Sequence, residues 1–270
     1  MLFRSPSEED HFKAYKEAIK YLGPHKLIIR TLDFGADKSF GIEDFQREEN
    51  PFLGCRSIRL CFEKIPVFKR QLRAILRASV MGNVDIMFPM ISSLEELIKA
   101  KRVLEEVKQE LSRENIPYQS EIKVGAMIEI PSAAIISDLL AKEVDFFSIG
   151  TNDLVQYTLA VDRINEKVAY LYRPAHPAIF RLVKSVIDSA IEHHIKVSIC
   201  GEMSAEFSYI IPLMGLGLRD FSVSPSLIPE CKEFIRSISM RRAMQITNKV
   251  LSLRTHQESL EYLSKEIARL

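Results

Sequence analysis

Charged side chains that can bind a metal ion and an anion lie at the ends of three apolar segments. Arg30 and Asp33 end KLIIRTLD, Glu129 lies within VGAMIEIP, and Asn152 and Asp153 follow VDFFSIGT. A carboxylate in a segment as apolar as that around Glu129 is rarely buried unless it is paired or bound to a ligand. Carboxylates from two strands, completed by phosphate oxygens, are a common arrangement for Mg²⁺. The pattern predicts a divalent cation beside an anionic substrate.

Two further arginines and a cysteine belong to the same predicted set. Arg56 follows the first apolar segment, Arg163 follows the segment that ends near Asn152, and Cys200 ends KVSIC. A guanidinium can bind a carboxylate or a phosphate through two parallel hydrogen bonds. The arginines therefore strengthen the prediction of an anionic substrate.

Several of these residues also have an ordinary structural interpretation. Arg30 could pair with Asp33 at the rim of a sheet. Asp153 could cap the helix that follows it, and Cys200 could be a small buried hydrophobic residue. Taken singly, the residues leave both interpretations open.

Short apolar runs that predict strands alternate with longer amphipathic runs that predict helices. Strands are predicted at residues 26–32, 85–90, 122–130, 144–149, 196–200 and 220–223. Helices are predicted at residues 8–22 with Ser7 as N-cap, 67–80, 93–111, from 131, 154–160, 176–193 and 205–213, and through the remainder to residue 270.

This alternation, with nearly continuous apolar strands, predicts an α/β fold with a parallel sheet covered by helices. An open doubly wound sheet and a closed (β/α)8 barrel both fit the alternation. The sequence contains neither G-x-G-x-x-G nor G-x-x-x-x-G-K-[ST], which disfavours the dinucleotide-binding and P-loop folds. We therefore favour the barrel, although only six strands are predicted.

Composition excludes several other classes of protein. The chain has 270 residues, 47% of them hydrophobic, with 37 basic and 36 acidic side chains. These values are typical of a globular domain and offer no overall attraction for nucleic acid. No apolar run approaches the roughly 18 residues of a membrane span, the N-terminus does not look like a signal peptide, and the four cysteines form no Cys-x-x-Cys pair. We therefore expect a cytoplasmic protein.

The order of the motifs resembles that of the phosphoenolpyruvate-utilising enzymes. It is most similar to the C-terminal domain of the enzyme I family, the phosphoenolpyruvate–protein phosphotransferases of the bacterial sugar phosphotransferase system. The resemblance weakens after about residue 240. The motifs are RTLDFGADK (30–38), EENPFLGCRSIR (48–59), RAILRAS (73–79), IMFPMI (86–91), AMIEIPSAA (126–134), DFFSIGTNDLVQYTL (145–159) and CGEM (200–203).

The resemblance implies a role for each predicted site residue. It implies that Glu129 and Asp153 hold Mg²⁺ and that Cys200 delivers or removes the proton at the methylene carbon as enolate and pyruvate interconvert. It further implies that four residues bind or orient phosphoenolpyruvate. These are Arg30 and Arg56 at the phosphoryl group, with Asn152 and Arg163 orienting the substrate.

The resemblance also implies a domain organisation. Residues 1–270 would be a single phosphoenolpyruvate-binding domain, with barrel units to about 240 and a helical tail from 241. Family members carry two more strands ahead of the point that matches Met1, and a further arginine after the second. The expected fold is therefore a (β/α)8 TIM-type barrel of the phosphoenolpyruvate/pyruvate superfamily without its first two strands. A misassigned start, a split gene and a decayed remnant would each account for this.

The family's phosphorylated histidine belongs to an N-terminal domain that we expect to be absent from this sequence. None of the six histidines follows a serine, as the family's phosphorylated histidine does. The implied partners are therefore that phospho-His domain in cis or in trans, the phosphocarrier protein HPr beyond it, and a second copy of this chain in a homodimer. Two alternatives stay open: a domain of pyruvate phosphate dikinase or phosphoenolpyruvate synthase, and a non-catalytic module that binds phosphoenolpyruvate or dimerises.

Overall fold

The structure, a computed structural model, describes residues 6–34 and 48–269. Residues 35–38 of the RTLDFGADK motif lie outside the described residues. The chain divides into two compact units, Met1–Met127 and Ile128–Leu270. Within the described residues, no helix is long and apolar enough to cross a membrane.

The first unit alternates parallel strands with helices. Its elements are α1 (Glu8–Leu22), β1 (Leu27–Arg30), α2 (Ile58–Glu63), α3 (Ile65–Ser79), β2 (Val84–Phe88), α4 (Leu94–Arg113) and β3 (Val124–Ile128), which ends one residue past the division. Strand β2 pairs in parallel with β1 and with β3. Every residue of β2 and β3 is buried, as the continuous apolar runs predict.

The second unit is built in the same way. Its elements are α5 (Pro131–Ile135), α6 (Ser137–Ala141), β4 (Phe146–Gly150), α7 (Thr151–Leu159), α8 (Pro177–Glu192), β5 (Lys196–Cys200), α9 (Phe207–Gly215), β6 (Asp220–Phe221), α10 (Ile228–Ser237), α11 (Met240–Ser252) and α12 (His256–Ile267). Strand β5 pairs in parallel with β4 and with β6. The predicted α/β fold with parallel strands is thus confirmed, and the eight-unit barrel stays a prediction.

Helix α1 shows why several observed helix boundaries agree with those predicted from the sequence. The Ser7 hydroxyl accepts a hydrogen bond from the Asp10 backbone N–H (3.2 Å), and the Asp10 carboxylate accepts one from the Ser7 N–H (2.9 Å). This capping box satisfies two backbone donors at the helix start. Gly23 follows the helix with a φ of +58°, a conformation that glycine adopts without steric cost.

Two helical regions differ from the predictions. Helix α2 was not predicted, because it has only six residues and its preceding residue Ser57 makes no side-chain cap. The helix predicted from residue 131 forms two five-residue segments, α5 and α6, separated at Ile136.

The predicted helical tail packs through α11 against α9. A Cβ atom added to Gly215 at the end of α9 would lie 2.0 Å from Thr247 Oγ1 and 2.6 Å from the Ala243 carbonyl oxygen, both on α11. Thr247 Oγ1 donates to the carbonyl of Pro212 in α9 (3.1 Å) and bonds its own helix at Ala243 (2.8 Å). The helices therefore approach closely only because residue 215 has no side chain.

Candidate active site

In the first unit, Asp33 holds two of the predicted arginines at the end of β1. Its carboxylate lies 3.2 Å from Arg30 Nη1 and accepts a hydrogen bond from Arg56 Nη2 (3.3 Å). The side chains of Asp33 and Arg56 are only 12% and 11% exposed, whereas that of Arg30 is 44% exposed. Arg30 thus makes the ion pair with Asp33 that was its alternative structural interpretation, and its predicted role at the substrate stays a prediction. The Asp33 carboxylate also holds Arg56, so two guanidiniums lie beside one carboxylate.

A buried glutamine that the sequence analysis did not single out fixes the end of β1. Gln71 of α3 is 3% exposed, and its Oε1 accepts the Leu32 backbone N–H (2.8 Å). Its Nε2 donates to the Tyr15 hydroxyl (3.0 Å) and to the Arg30 carbonyl (3.4 Å). A polar residue on the apolar face of a predicted helix is the signal that could have identified it.

The loop that carries Arg56 is held by Glu48. The Glu48 carboxylate accepts the Cys55 backbone N–H at 2.9 Å, and a Cβ atom on Gly54 would clash with that carboxylate. The Arg56 guanidinium lies 5.7 Å from the centre of the Phe52 ring, within the range of a cation–π contact.

In the second unit, the two predicted metal-binding carboxylates are buried. Glu129 is 3% exposed and directly follows β3, and Asp153 is 8% exposed in the first turn of α7. The N-cap of α7 is Gly150, and no side chain caps the helix. Asp153 therefore does not serve as the N-cap, which had been its alternative interpretation.

Cys200 ends β5 opposite Gly150 of β4 and is surrounded by polar atoms of β4 and α7. Its Sγ lies 3.5 Å from the Ile149 carbonyl oxygen, and the Ser148 hydroxyl donates to Sγ at 3.8 Å. The Thr151 hydroxyl donates to the Cys200 carbonyl (2.8 Å). Ser148 and Thr151 were not predicted as site residues, although a serine inside an apolar strand such as DFFSIG gives the same kind of signal as Glu129.

Asn152 and Arg163 both contact Glu202, two residues after Cys200. Asn152 Oδ1 accepts the Glu202 backbone N–H (2.9 Å), and Arg163 Nη1 lies 3.6 Å from Glu202 Oε1. Gly201, between Cys200 and Glu202, has a φ of +93°. The second unit thus brings Asn152, Arg163 and Cys200 together around residues 200–202.

Two tyrosines that the sequence analysis missed belong to this cluster. The pKa of Tyr172 is raised to about 12, first by burial and then by the Glu202 carboxylate, while Arg163, which hydrogen bonds Tyr172, opposes the shift. Burial, with nearby Glu206, also raises the pKa of Tyr209. Both phenols therefore stay protonated at neutral pH and can donate hydrogen bonds, Tyr172 beside Arg163 and Tyr209 beside Tyr172. No motif indicates either one.

The donor set of the second unit fits a magnesium ion better than a softer metal. Glu129 and Asp153 supply hard oxygen donors, and Mg²⁺ is often held by one or two carboxylates while substrate oxygens and water complete its shell. Among the described residues, no group of three or more His, Cys, Asp or Glu side chains could hold a metal ion by itself. If Glu129 and Asp153 bind one Mg²⁺ as predicted, coordination positions would be left for a substrate.

Comparison with known families identifies the class of protein that carries this set of residues. The family model for the phosphoenolpyruvate-binding domain of phosphoenolpyruvate-utilising enzymes matches residues 3–240. The chain belongs to this family.

Curated relatives narrow the resemblance to one kind of enzyme. The chain is 47% identical to the phosphoenolpyruvate-protein phosphotransferase of Priestia megaterium, over 96% of this chain and 45% of the relative. It is 44% identical to the protein of that name in Staphylococcus aureus, over 97% of this chain and 46% of the relative. The chain thus spans about half the length of the curated relatives it matches.

Solved structures support the fold alone. A malate synthase from Haloferax volcanii in complex with lead(II) matches 84% of this chain and 59% of its own with a TM-score of 0.57 at 13% identity. The pyruvate/acetyl-CoA ternary complex of the same enzyme covers 84% of this chain and 56% of its own, with a TM-score of 0.55 at 13% identity.

Proposed function

We propose that this chain is the substrate-binding and catalytic domain of a phosphoenolpyruvate–protein phosphotransferase, an enzyme I. It binds phosphoenolpyruvate, transfers the phosphoryl group to a histidine on a separate domain, and releases pyruvate. The observation that carries the proposal is the burial of Glu129 and Asp153 at the ends of two strands, within a chain of this family. Carboxylate oxygens are hard donors of the kind that Mg²⁺ prefers in proteins.

The chain's own residues would divide the work of phosphoryl transfer. Arg30 and Arg56 would bind the phosphoryl oxygens, and Asn152 and Arg163 would orient the carboxylate end of the substrate. Phosphoryl transfer depends mainly on positioning and on positive charge around the transferred group. Bound Mg²⁺, held by Glu129 and Asp153, would offset negative charge on the phosphate and the departing enolate.

Cys200 would then complete the conversion to pyruvate. The bond between phosphorus and the enol oxygen breaks as the histidine nitrogen bonds to phosphorus, which leaves an enolate. The Cys200 thiol gives its proton to the methylene carbon of that enolate, and solvent restores the proton to sulfur. A thiol suits this role because its ordinary pKa of about 8.5 keeps it mostly protonated at neutral pH.

The proposal also includes the surroundings of the domain. We infer a (β/α)8 barrel of the phosphoenolpyruvate/pyruvate superfamily, a homodimer, and onward transfer from the phospho-His domain to HPr. The four cysteines are free thiols, which is typical of the cytoplasm.

Phosphoryl transfer can be tested with ³²P-labelled phosphoenolpyruvate, Mg²⁺ and a separately made phospho-His domain of a curated relative. We expect label to reach that domain and to be lost in Glu129→Gln, which keeps the shape of the side chain but removes its charge. Glu121→Gln, at an exposed position shortly before β3, is the matched control and should transfer normally. Mg²⁺-dependent binding of phosphoenolpyruvate without transfer would instead support a non-catalytic binding module.

The role of Cys200 can be tested without the partner domain. In D₂O with pyruvate and Mg²⁺, the chain should exchange the methyl protons of pyruvate for deuterium, followed by ¹H NMR. Cys200→Ala should reduce the rate by about 10²-fold or more, since a positioned acid or base contributes about that much. Cys55→Ser is the control for loss of a thiol elsewhere. Unchanged exchange in Cys200→Ala would show that another group moves the proton.

A further inference from the structure

A cavity of about 640 Å³ lies in the second unit, beside the N-terminus of α8. We call it the α8 cavity. Apolar side chains form much of its wall, including Ile135, Leu182 and Leu253. Its volume lies within the usual range for a site that accommodates a small organic molecule. None of the seven predicted site residues lines it.

Two arginines on the wall of the α8 cavity form no ion pair through their guanidinium groups with any described residue. Arg181 of α8 and Arg254, which follows α11, both line the cavity. In the part of the chain that the structure describes, neither guanidinium makes a hydrogen bond or an ion pair. By contrast, Arg73 of the first unit pairs with Glu8 at 2.8 Å. The Glu258 carboxylate accepts a hydrogen bond from the Arg254 backbone N–H (2.9 Å), not from its guanidinium.

The start of α8 adds further positive potential to the same wall. His176 is its N-cap and accepts the Ala178 backbone N–H at Nδ1 (3.1 Å), so that the ring proton resides on Nε2. The positive end of the helix dipole lies at this point. The pKa of the nearby His256 is lowered, first because the ring is partly buried and then because of its neighbours Arg173 and His176.

One residue of the cavity wall has a buried polar atom without a hydrogen bond. Thr158 of α7 lines the α8 cavity, and its Oγ1 is buried without a hydrogen bond in the structure. A buried hydroxyl without a partner is costly, and Thr158 would have to change its rotamer to offer this hydroxyl to a molecule in the cavity. The Nδ1 atom of His256 is buried and unsatisfied in the same way.

We propose that the α8 cavity is a binding site for a small organic phosphate. The phosphate group would meet Arg181 and Arg254 in the positive potential at the start of α8, and a compact apolar body would lie against Ile135, Leu182 and Leu253. Each guanidinium can bind through two parallel hydrogen bonds, which suits the three free oxygens of a phosphate ester better than the two of a carboxylate. The N–H groups at the start of α8 are already bonded to His176, so the helix adds only its dipole.

Phenyl phosphate is a suitable probe, because it combines the phosphate with a small apolar ring. We expect it to bind the whole chain saturably and to shift the ring resonances of His176 and His256 in ¹H–¹⁵N NMR spectra. Inorganic phosphate lacks the apolar ring and phenol lacks the phosphate group. Each should bind at least about tenfold more weakly than phenyl phosphate. Benzoate carries a carboxylate in place of the phosphate and should also bind more weakly than phenyl phosphate.

Arg181→Gln and Arg254→Gln should each weaken phenyl phosphate binding by about tenfold, as expected for loss of a charged hydrogen bond. Both side chains are exposed, and circular dichroism should show unchanged folding. Arg236→Gln on α10, also exposed, is the matched control. Arg56→Gln should leave the His256 shifts intact, which separates this cavity from the proposed active site.

Several outcomes would overturn the proposal. These are retained affinity in both cavity variants, equal binding of benzoate, and His256 shifts that sodium chloride reproduces at the same ionic strength. None of them would affect the phosphotransferase proposal, which depends on other residues.

Discussion

At the scale of single residues, Gly201 determines how closely the chain after Cys200 approaches the first turn of α7. A Cβ atom at this position would lie 2.4 Å from Thr151 Oγ1 and 2.8 Å from Asn152 Oδ1. The residue also has a φ of +93°, where other residues are strained. Both the backbone conformation and the contact therefore require glycine.

Gly201→Ala should destabilise the chain by about 3 kcal/mol, from backbone strain together with overpacking. It should also lower the exchange of pyruvate protons, because it displaces Asn152 and the chain beside Cys200. Urea unfolding and the NMR exchange assay measure the two effects.

Gly23→Ala is the matched control for this prediction. Gly23 also has a positive φ, but nothing lies within 4 Å of the added Cβ. Gly23→Ala should lower the free energy of unfolding by about 1–2 kcal/mol from backbone strain alone, and the exchange of pyruvate protons should be unchanged. Equal effects of the two variants on exchange would contradict the role assigned to the contact at Gly201.

The sequence predicts site residues where the residue type conflicts with its surroundings. Glu129 is recognisable because a carboxylate in an apolar strand calls for a ligand or a partner. Gln71 conflicts with its helix face in a similar way, but its partners come from distant segments and no local spacing shows them. Tyr172 and Tyr209 gain their significance only from the folded neighbourhood of Glu202. The catalytic roles themselves stay predictions.

At the scale of elements, the contact between α9 and α11 joins the predicted tail to the strand-bearing part of the second unit. Gly215→Ala should destabilise this unit by about 2 kcal/mol, because the new methyl group collides with Thr247 and the Ala243 carbonyl. Urea unfolding followed by circular dichroism measures the change.

A double-mutant cycle with Thr247→Ala isolates the contact. Removing the Thr247 side chain removes the 2.0 Å collision but not the one with the Ala243 carbonyl. Gly215→Ala should therefore cost less in the Thr247→Ala background than in the native chain. Strict additivity would show that the helices do not meet at these residues.

Most elements could be predicted because their local signals agree with their burial. Helix α1 has its capping box, β5 follows a polar turn, and β4 is one continuous apolar run. Helix α2 could not be predicted, since Ser57 precedes it with a φ of +56° and no side-chain cap. The break at Ile136 was likewise missed, because the residues on either side continue a helical pattern.

At the scale of the whole molecule, two partly buried histidines, His11 and His256, link stability to pH. Burial lowers the pKa of His11 from its ordinary value of 6.5; Asp10 opposes this shift and Arg70 adds to it. Burial, together with Arg173 and His176, lowers the pKa of His256 in the second unit. In both cases the unfolded chain binds a proton more readily than the folded chain.

The free energy of unfolding should therefore fall as the pH drops below about 6.5, and this contribution should level off below the folded pKa values. The double variant His11→Gln/His256→Gln should show a flatter profile between about pH 6.5 and 5, above the range where carboxylates dominate. Urea titrations at several pH values measure both profiles. Identical slopes would contradict the assignment to these histidines.

Helix α7 has consequences for how this protein can diverge. Its first turn carries Asn152 and Asp153, and its last turn carries Tyr157 and Thr158 on the wall of the α8 cavity. Inserting or deleting one residue between them would rotate one end by about 100° relative to the other. Evolutionary change within this helix is therefore confined to substitution, and its length should stay constant for as long as both ends are in use.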